Sequence, residues 1–172
     1  ATLADAGVTT PVVLNLQYSN DHYGPSSGDE YALINDQLES SGLFTVNLQT
    51  TEWVQYAKDR TSDVYPAYQL GWFPDYSDAD NYLTPFFLKD NFLGNHYDNS
   101  SVNDKILAQA STPDAAARTA LIEDIQAEVA ADLSTVPYLQ GAQVAVVGAD
   151  VTGADTTLDA SFKFRYGALA KG

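Results

Sequence analysis

The stretch VVLNLQY at residues 12–18 sets the fold, because apolar and polar side chains alternate along it with the two-residue period of a β-strand. The same alternation returns at residues 44–48, and a third apolar run covers residues 65–73. Helical patterns separate these runs, at residues 29–41 and 52–60. The order strand, helix, strand, helix, strand predicts an α/β fold with a mostly parallel sheet flanked by helices.

Helices are also predicted beyond the third strand. The pattern at residues 80–87 predicts a helical turn that breaks at Pro85. Ser101 opens the next helix with a capping-box pattern, and Thr112 is expected to cap the one after it. Pro113, as the first residue of that last helix, strengthens the prediction, because proline is well suited to that position.

The chain is predicted to be a single domain over residues 1–172 and a fragment of a larger protein, since it lacks Met and begins with what resembles the end of a helix. Residues 8–140 form the predicted core α/β lobe, and residues 141–172 form an irregular, β-containing tail. Short strands are expected there at residues 144–147 and at Phe162, Phe164 and Tyr166.

Composition excludes several classes of protein. The chain has 172 residues, enough for one domain with a core of its own. A net charge of -15 argues against nucleic acid as a partner, because phosphates would be repelled. The same charge is equally typical of the acidic surface of some secreted or salt-adapted proteins. The lack of Cys excludes disulfides, thiolate metal sites and thiol catalysis.

Candidate ligand-binding residues follow the third predicted strand, in the segment GWFPDY at residues 71–76. Ligands of open parallel sheets bind outside the carboxyl ends of the strands. Trp72 and Asp75 would there form an apolar wall with one fixed negative charge, which suits an ammonium group. Strand alternation sends Trp72 towards the pocket and Phe73 towards the core, while Tyr76 extends the wall.

Acidic residues cluster in the same segment, but their spacing does not fit a calcium loop. Such a loop needs an acidic residue at its twelfth position. Counted from Asp75 that position is Phe86, and counted from Asp78 it is Lys89. The two histidines lie far apart in the sequence, and no nucleophile elbow or phosphate-binding loop occurs. No catalytic residue, metal or cofactor is therefore predicted.

Three stretches resemble the extracellular solute-binding proteins of ABC importers, in the dipeptide and oligopeptide-binding family (family 5). They are DQLESSGLFTVNLQTTEW at residues 36–53, GWFPDYSDADNYLTPFF at residues 71–87 and RTALIEDIQAEVAADLSTVPYL at residues 118–139. The resemblance implies a fragment of the C-terminal lobe of a type II periplasmic-binding-protein-like fold. It also implies a non-catalytic receptor that captures peptides between two lobes for the membrane permease subunits of the importer.

The resemblance further implies roles for individual residues. Asp75 matches the position that pairs with the α-ammonium group of a peptide, and Trp72 is the family's aromatic. Some relatives carry a basic residue three positions before this Trp, where this chain has the uncharged Gln69. The predicted ligand-binding set is Trp72, Asp75, Phe73, Tyr76 and Gln69. A monomer is implied, located outside the cell or in the periplasm and anchored as a lipoprotein in its full-length form.

Other functions stay open on the sequence alone. The family also contains binders of oligosaccharides and of nickel complexes, so a different solute is one alternative. A glycoside hydrolase with a pair of carboxylates, Asp75 and a second acid, is an alternative from another class. A structural interaction module without a small ligand is a third.

Overall fold

A parallel sheet of three strands organises the first of the two units into which the chain divides, Ala1–Gly71 and Trp72–Gly172. In this computed structural model the described residues are 3–161 and 163–172. The second unit contains three α-helices and a two-stranded antiparallel sheet among its described residues. Among the described residues, the helices all fall short of the length and apolar character needed to cross a membrane.

The sheet of the first unit has the strand order β2-β1-β3. Its strands are β1 (Val12–Ser19), β2 (Phe44–Thr51) and β3 (Ala67–Tyr68), and β1 pairs with β2 over its full length of 8 residues. Two helices connect them, α1 (Ser27–Ser40) between β1 and β2 and α2 (Trp53–Thr61) between β2 and β3. This order confirms the predicted α/β class, with a parallel sheet and helical crossovers.

The third strand is shorter than predicted. The predicted extent, residues 65–73, is wrong. Only Ala67–Tyr68 pairs with β1. Pro66 has no backbone N–H and cannot donate to a ladder, so the strand starts after it. The Gln69 amide still donates to the Gln17 carbonyl at 2.8 Å, and the chain then leaves the sheet.

The described part of the second unit contains three α-helices, two short 3-10 helices and a two-stranded antiparallel sheet. The α-helices are α3 (Asp80–Phe87), α4 (Ser100–Ala110) and α5 (Ala115–Asp132), and the sheet pairs β4 (Val151–Thr152) with β5 (Ala170–Lys171). Apolar faces of the three helices meet in one buried cluster. Its members are Leu83, Val102, Ile106, Ile125 and Val129.

Two predicted helix starts are corrected by the caps that the structure shows. The side chain of Asn99 accepts from the amides at the start of α4, including that of Ser101, so Ser101 lies inside the helix. The Asp114 carboxylate accepts from the Ala117 amide at 2.8 Å and caps α5. Thr112 is not the cap, because its hydroxyl donates to a carbonyl in the last turn of α4.

The predicted break at Pro85 is wrong, because α3 continues to Phe87. A loop further along the chain completes the end of this helix. The Pro85 carbonyl accepts from the Leu93 amide at 3.3 Å, and the Phe86 carbonyl accepts from the Asn95 side chain at 2.8 Å. These bonds satisfy carbonyls that have no partner within the helix.

The strands predicted in the tail are not found where residues are described. Residues 144–147 form no strand, and Val146 is 94% exposed. Phe164 is irregular, and Tyr166 begins a short 3-10 helix. Phe162 lies outside the described residues. Alternating apolar residues need a neighbouring strand to become a ladder, and none among the described residues pairs with this segment.

Candidate functional site

The candidate loop, residues 72–79, precedes α3 and is held by one buried side chain of that helix, Asn81. Asn81 is 4% exposed. The Asn81 Oδ1 atom accepts a hydrogen bond from the indole Nε1 of Trp72 at 2.9 Å and another from the backbone amide of Asp75 at 2.9 Å. A single oxygen therefore fixes both members of the pair that the sequence singled out.

Trp72 is half-buried within an aromatic group of the second unit. Its ring lies edge-on to Phe86, with centroids 5.4 Å apart, and to Phe92, with centroids 6.3 Å apart. Phe73 is 58% exposed, so its predicted place in the core is wrong. The prediction rested on strand alternation, which does not apply because residues 72–76 form no strand.

The Asp75 residue is exposed, and so is its neighbour Tyr76, at 47%. The Tyr76 hydroxyl donates to Asp80 Oδ2 at 3.1 Å, which ties the loop to the first residue of α3. The Lys163 ammonium donates to the backbone carbonyl of Asp75 at 2.8 Å. The loop thus exposes Asp75, three residues after an indole that is held by a hydrogen bond to Asn81.

A network of polar side chains braces the same loop against α4 and α5. Arg118 donates to both carboxylate oxygens of Asp78, at 2.9 Å from Nη1 and 2.5 Å from Nη2. The fully buried Gln109 accepts from Arg118 Nε at 3.0 Å and donates to Asp80 Oδ1 at 2.7 Å. Every one of these bonds joins residues that are distant in the sequence or lie on different helices.

This network shifts the pKa values of Asp78 and Arg118. Hydrogen bonds from Arg118, and then from the Asp80 amide, lower the pKa of Asp78. The Asp78 carboxylate in turn raises the pKa of Arg118. Two acids of the segment that was compared with a calcium loop therefore have partners, Asp78 in a cation and Asp80 in a side-chain amide. Within the described residues, no group of three or more His, Cys, Asp or Glu side chains is suited to a metal ion.

An open groove of about 560 Å³ lies beside the network in the second unit. Tyr76, Asp78, Asp80 and Arg118 contribute to its walls, whereas neither Trp72 nor Asp75 does. Asp78 and Arg118 are paired with each other, and Asp80 accepts hydrogen bonds from neutral side chains. The groove therefore offers less unpaired charge to a ligand than the exposed loop does.

Gln69 lies in the first unit and is 4% exposed. Its side-chain Oε1 accepts from the Ser19 amide at 3.2 Å, and its carbonyl accepts from the Tyr56 hydroxyl at 2.7 Å. Both bonds fasten the end of β3 to the sheet and to α2. A role for Gln69 in ligand binding stays a prediction.

Aromatic rings gather beyond the carboxyl ends of β1 and β2 in the first unit. His22 stacks on Trp53 with centroids 3.5 Å apart and planes 3° apart. The ring of Tyr23 lies against Gly71, where an added Cβ atom would come within 2.6 Å of the Tyr23 Cε1 atom. The glycine before the candidate loop is thus required by close packing, not by a left-handed backbone.

Sequence reasoning missed the three residues that hold the loop, Asn81, Gln109 and Arg118. Asn81 lies within the motif at residues 71–87, but the motif alone predicted no role for it. Gln109 carries a readable signal, because it follows Val102 and Ile106 on the apolar stripe of α4, where a polar residue needs partners. Nothing in the sequence marks Arg118 as the partner of an acid before α3.

The sequence model of bacterial extracellular solute-binding proteins, family 5 Middle, matches residues 1–94. These residues make up more than half of the 172-residue chain and include the candidate loop. Comparison with curated protein sequences gives no match.

Solved structures share the fold at low sequence identity. A dipeptide binding protein from a Pseudoalteromonas species, in complex with Met-Leu, is 20% identical with a TM-score of 0.79, over 99% of this chain and 34% of its own. The murein tripeptide binding protein of Escherichia coli is 14% identical with a TM-score of 0.79, over 98% and 33%. The periplasmic binding protein DppA of Helicobacter pylori, in complex with the peptide STSA, is 20% identical with a TM-score of 0.66, over 77% and 26%.

This chain spans about a quarter to a third of the length of those proteins. Their likeness confirms the predicted fold, one lobe of a type II periplasmic-binding-protein-like architecture with a parallel sheet and flanking helices. The family match covers the sheet, its helices and the whole candidate loop. Together the sequence match and the fold show that this chain belongs to the family 5 bacterial extracellular solute-binding proteins.

Proposed function

We propose that this chain is part of the receptor of an ABC importer, which captures peptides outside the membrane and delivers them to permease subunits. Family membership supports the receptor role, and the peptide complexes among the similar structures support the class of solute. The observation that carries the proposal is that Asn81 Oδ1 accepts from both the indole of the half-buried Trp72 and the backbone amide of the exposed Asp75.

The Asp75 carboxylate pairs with the α-ammonium group of the peptide through charge-assisted hydrogen bonds, which are stronger than those between neutral groups. Trp72, Phe73 and Tyr76 supply apolar surface around that pair, and two of them are exposed in this chain. Gln69 offers no positive charge to a ligand carboxylate. Recognition therefore centres on the amino terminus of the peptide.

The receptor performs no chemistry and works by closing two lobes on its ligand. This chain is a single-domain fragment of that receptor, with its core lobe at residues 8–140 and its tail at residues 141–172. Holding one wall of the cleft, it binds peptide weakly or not at all when isolated. The full-length receptor is a monomer held at the membrane by a lipid anchor.

The alternative of a glycoside hydrolase lacks support from the acids of the loop. A general acid of that class needs a raised pKa. Asp78 has a lowered pKa, because Arg118 donates two hydrogen bonds to it. Asp80 accepts from Gln109 and Thr84. Oligosaccharides and nickel complexes remain alternative solutes, and titrating the intact receptor with each of them in place of peptide would detect them.

Calorimetric titration of the intact receptor tests the proposal. Asp75→Asn should weaken binding of tripeptides with a free amino terminus by about 10- to 100-fold, the cost of about 1.5–3 kcal/mol for a lost charge-assisted bond. N-acetylated tripeptides should be little affected by it. Asp104→Asn, at an exposed carboxylate of α4, is the matched control. Equal losses for both kinds of peptide would overturn the ammonium role, and turnover of peptide or oligosaccharide would overturn the receptor role.

A further inference from the structure

The two bonds accepted by Asn81 Oδ1 come from groups that belong to different parts of the candidate site. One donor is the indole Nε1 of Trp72, which sets the plane of the ring, and the other is the backbone amide of Asp75, which sets where its side chain begins. Both distances are 2.9 Å, the usual length for N–H···O bonds. A change at this oxygen therefore alters the relation between ring and carboxylate.

Burial makes the Asn81 oxygen a strong and specific anchor. The residue is 4% exposed, so water does not compete well for the acceptor, and each donor would lose a partner in its absence. The helix that carries Asn81 is itself fixed. Leu83 is part of the buried cluster, and Asp80 accepts from the buried Gln109.

The bonds of the polar network around Arg118 do not involve the Trp72 indole or the Asp75 amide. Arg118 contacts Asp78 and Gln109, and Tyr76 contacts Asp80. These bonds stabilise residues 76–80 without donating to or accepting from the indole or the Asp75 amide. The Lys163 ammonium bonds the Asp75 carbonyl. The rings of Phe86 and Phe92 pack on Trp72. Asn81 Oδ1 bonds both Trp72 and Asp75, and it therefore links the two members of the pair.

We propose that Asn81 is a positioning residue for the peptide amino terminus: it holds the Trp72 ring and the Asp75 carboxylate so that both face the same ammonium group. This inference rests on the proposed function. Asn81 acts through the loop and makes no contact with the ligand itself. Its removal should therefore reduce the preference for a free amino terminus while leaving the fold in place.

Two substitutions separate positioning from stability. Asn81→Leu removes the acceptor at similar size, whereas Asn81→Asp keeps an acceptor oxygen in either protonation state. Val102→Ala, in the buried cluster of α4, is the matched control for a general loss of stability. It should lower the melting temperature without changing which peptides are preferred.

The first readout needs no ligand. Trp53 and Trp72 are the two tryptophans of this chain, so its nuclear magnetic resonance spectrum has two indole N–H signals, and Trp53→Phe assigns them. Asn81→Leu should shift the Trp72 signal and speed its exchange with water by about tenfold or more, since a hydrogen bond of about 1.4 kcal/mol is lost. Asn81→Asp should preserve slow exchange. An unchanged Trp72 signal in Asn81→Leu would overturn the inference.

The second readout is the ratio of Kd for N-acetylated and free tripeptides in the intact receptor. Asn81→Leu should reduce this ratio by about tenfold, towards its value in Asp75→Asn, and Asn81→Asp should restore it to within about threefold of the original. A ratio that falls in Asp75→Asn but not in Asn81→Leu would overturn the positioning role and leave the proposed function standing. A ratio that Asp75→Asn leaves unchanged would overturn the proposed function itself, whatever the indole signal does.

Discussion

The guanidinium of Arg118 and the carboxylate of Asp78 meet through two parallel hydrogen bonds, so that α5 fixes the loop before α3. The two residues are 40 positions apart in the sequence. The same guanidinium donates twice to the buried Gln109 of α4. One cation therefore connects two helices with the segment that carries the candidate site.

This pair predicts a dependence of stability on pH. The pKa of Asp78 is lower in the folded chain than in the unfolded one, so its ionised form stabilises the fold above the unfolded pKa of about 3.9. That contribution is lost as the pH falls through the folded pKa. Asp78→Asn should lower the melting temperature by about 2–4 °C at pH 7, and the difference should vanish in strong acid.

Thermal melting of both proteins between pH 2 and pH 7 measures this difference. Asp104→Asn serves as a control, because Asp104 is an exposed carboxylate on α4. A gap between Asp78→Asn and the original chain that stays constant over the whole pH range would contradict the linkage.

Gly71→Ala should destabilise the first unit by about 1–3 kcal/mol, the usual cost of overpacking. The added Cβ would lie 2.6 Å from the Tyr23 Cε1 atom. Combining it with Tyr23→Ala should cost less than the sum of the two single changes, because the second substitution removes the clash. Urea unfolding checks both expectations. Gly141→Ala is the control, since an added Cβ meets nothing within 4 Å there, and an equal effect at both glycines would refute the packing argument.

Tyr56→Phe should lower the free energy of unfolding by about 1–3 kcal/mol, the cost of leaving a buried acceptor without its donor. The Tyr56 ring is 0% exposed, and its hydroxyl donates to the Gln69 carbonyl at 2.7 Å. Burial also raises the pKa of Tyr56, so this donor keeps its proton at alkaline pH. Tyr82→Phe, at a ring that is 48% exposed, should change the unfolding curve little; a comparable loss there would argue against the bond as the cause.

Asp114→Ala should lower the free energy of unfolding by about 1 kcal/mol, because α5 loses its capping carboxylate. Thr112→Val should cost less than about half of that, since its hydroxyl donates to the Ala108 carbonyl and caps nothing. Urea denaturation of the two variants side by side gives the comparison. A larger effect at Thr112 would reinstate the cap that the sequence predicts.

The sequence predicted the sheet well where the signal is local. Side chains that alternate over residues 12–18 and 44–48 carry their own evidence for a strand, and both became full strands of the predicted sheet. The third strand was overextended because pairing depends on a neighbour. Its partner β1 pairs with it over only two residues, Ala67 and Tyr68. The strand predicted at residues 144–147 is wrong for the same reason. Without a partner strand its alternating residues form no ladder, and Val146 is exposed.

The motif around Trp72 and Asp75 located the candidate loop, but it did not predict the residues that hold the loop in place. Asn81 is close in sequence, and its two bonds depend on how the loop turns back on α3. The contacts of Gln109 with Asp80 span 29 positions, which no periodicity encodes. Helix starts were missed by a few residues because Thr112 and Asp114 are both good caps, and only the backbone decides between them.

The last carbonyls of α3 accept hydrogen bonds from outside the helix, from the Leu93 amide and the Asn95 side chain. A short helix whose last turn depends on donors from another segment is not stable in isolation. A synthetic peptide of that helix alone should be a random coil. In the protein, hydrogen exchange should give its amides and those of residues 91–95 one common free energy of opening, as a single cooperative segment.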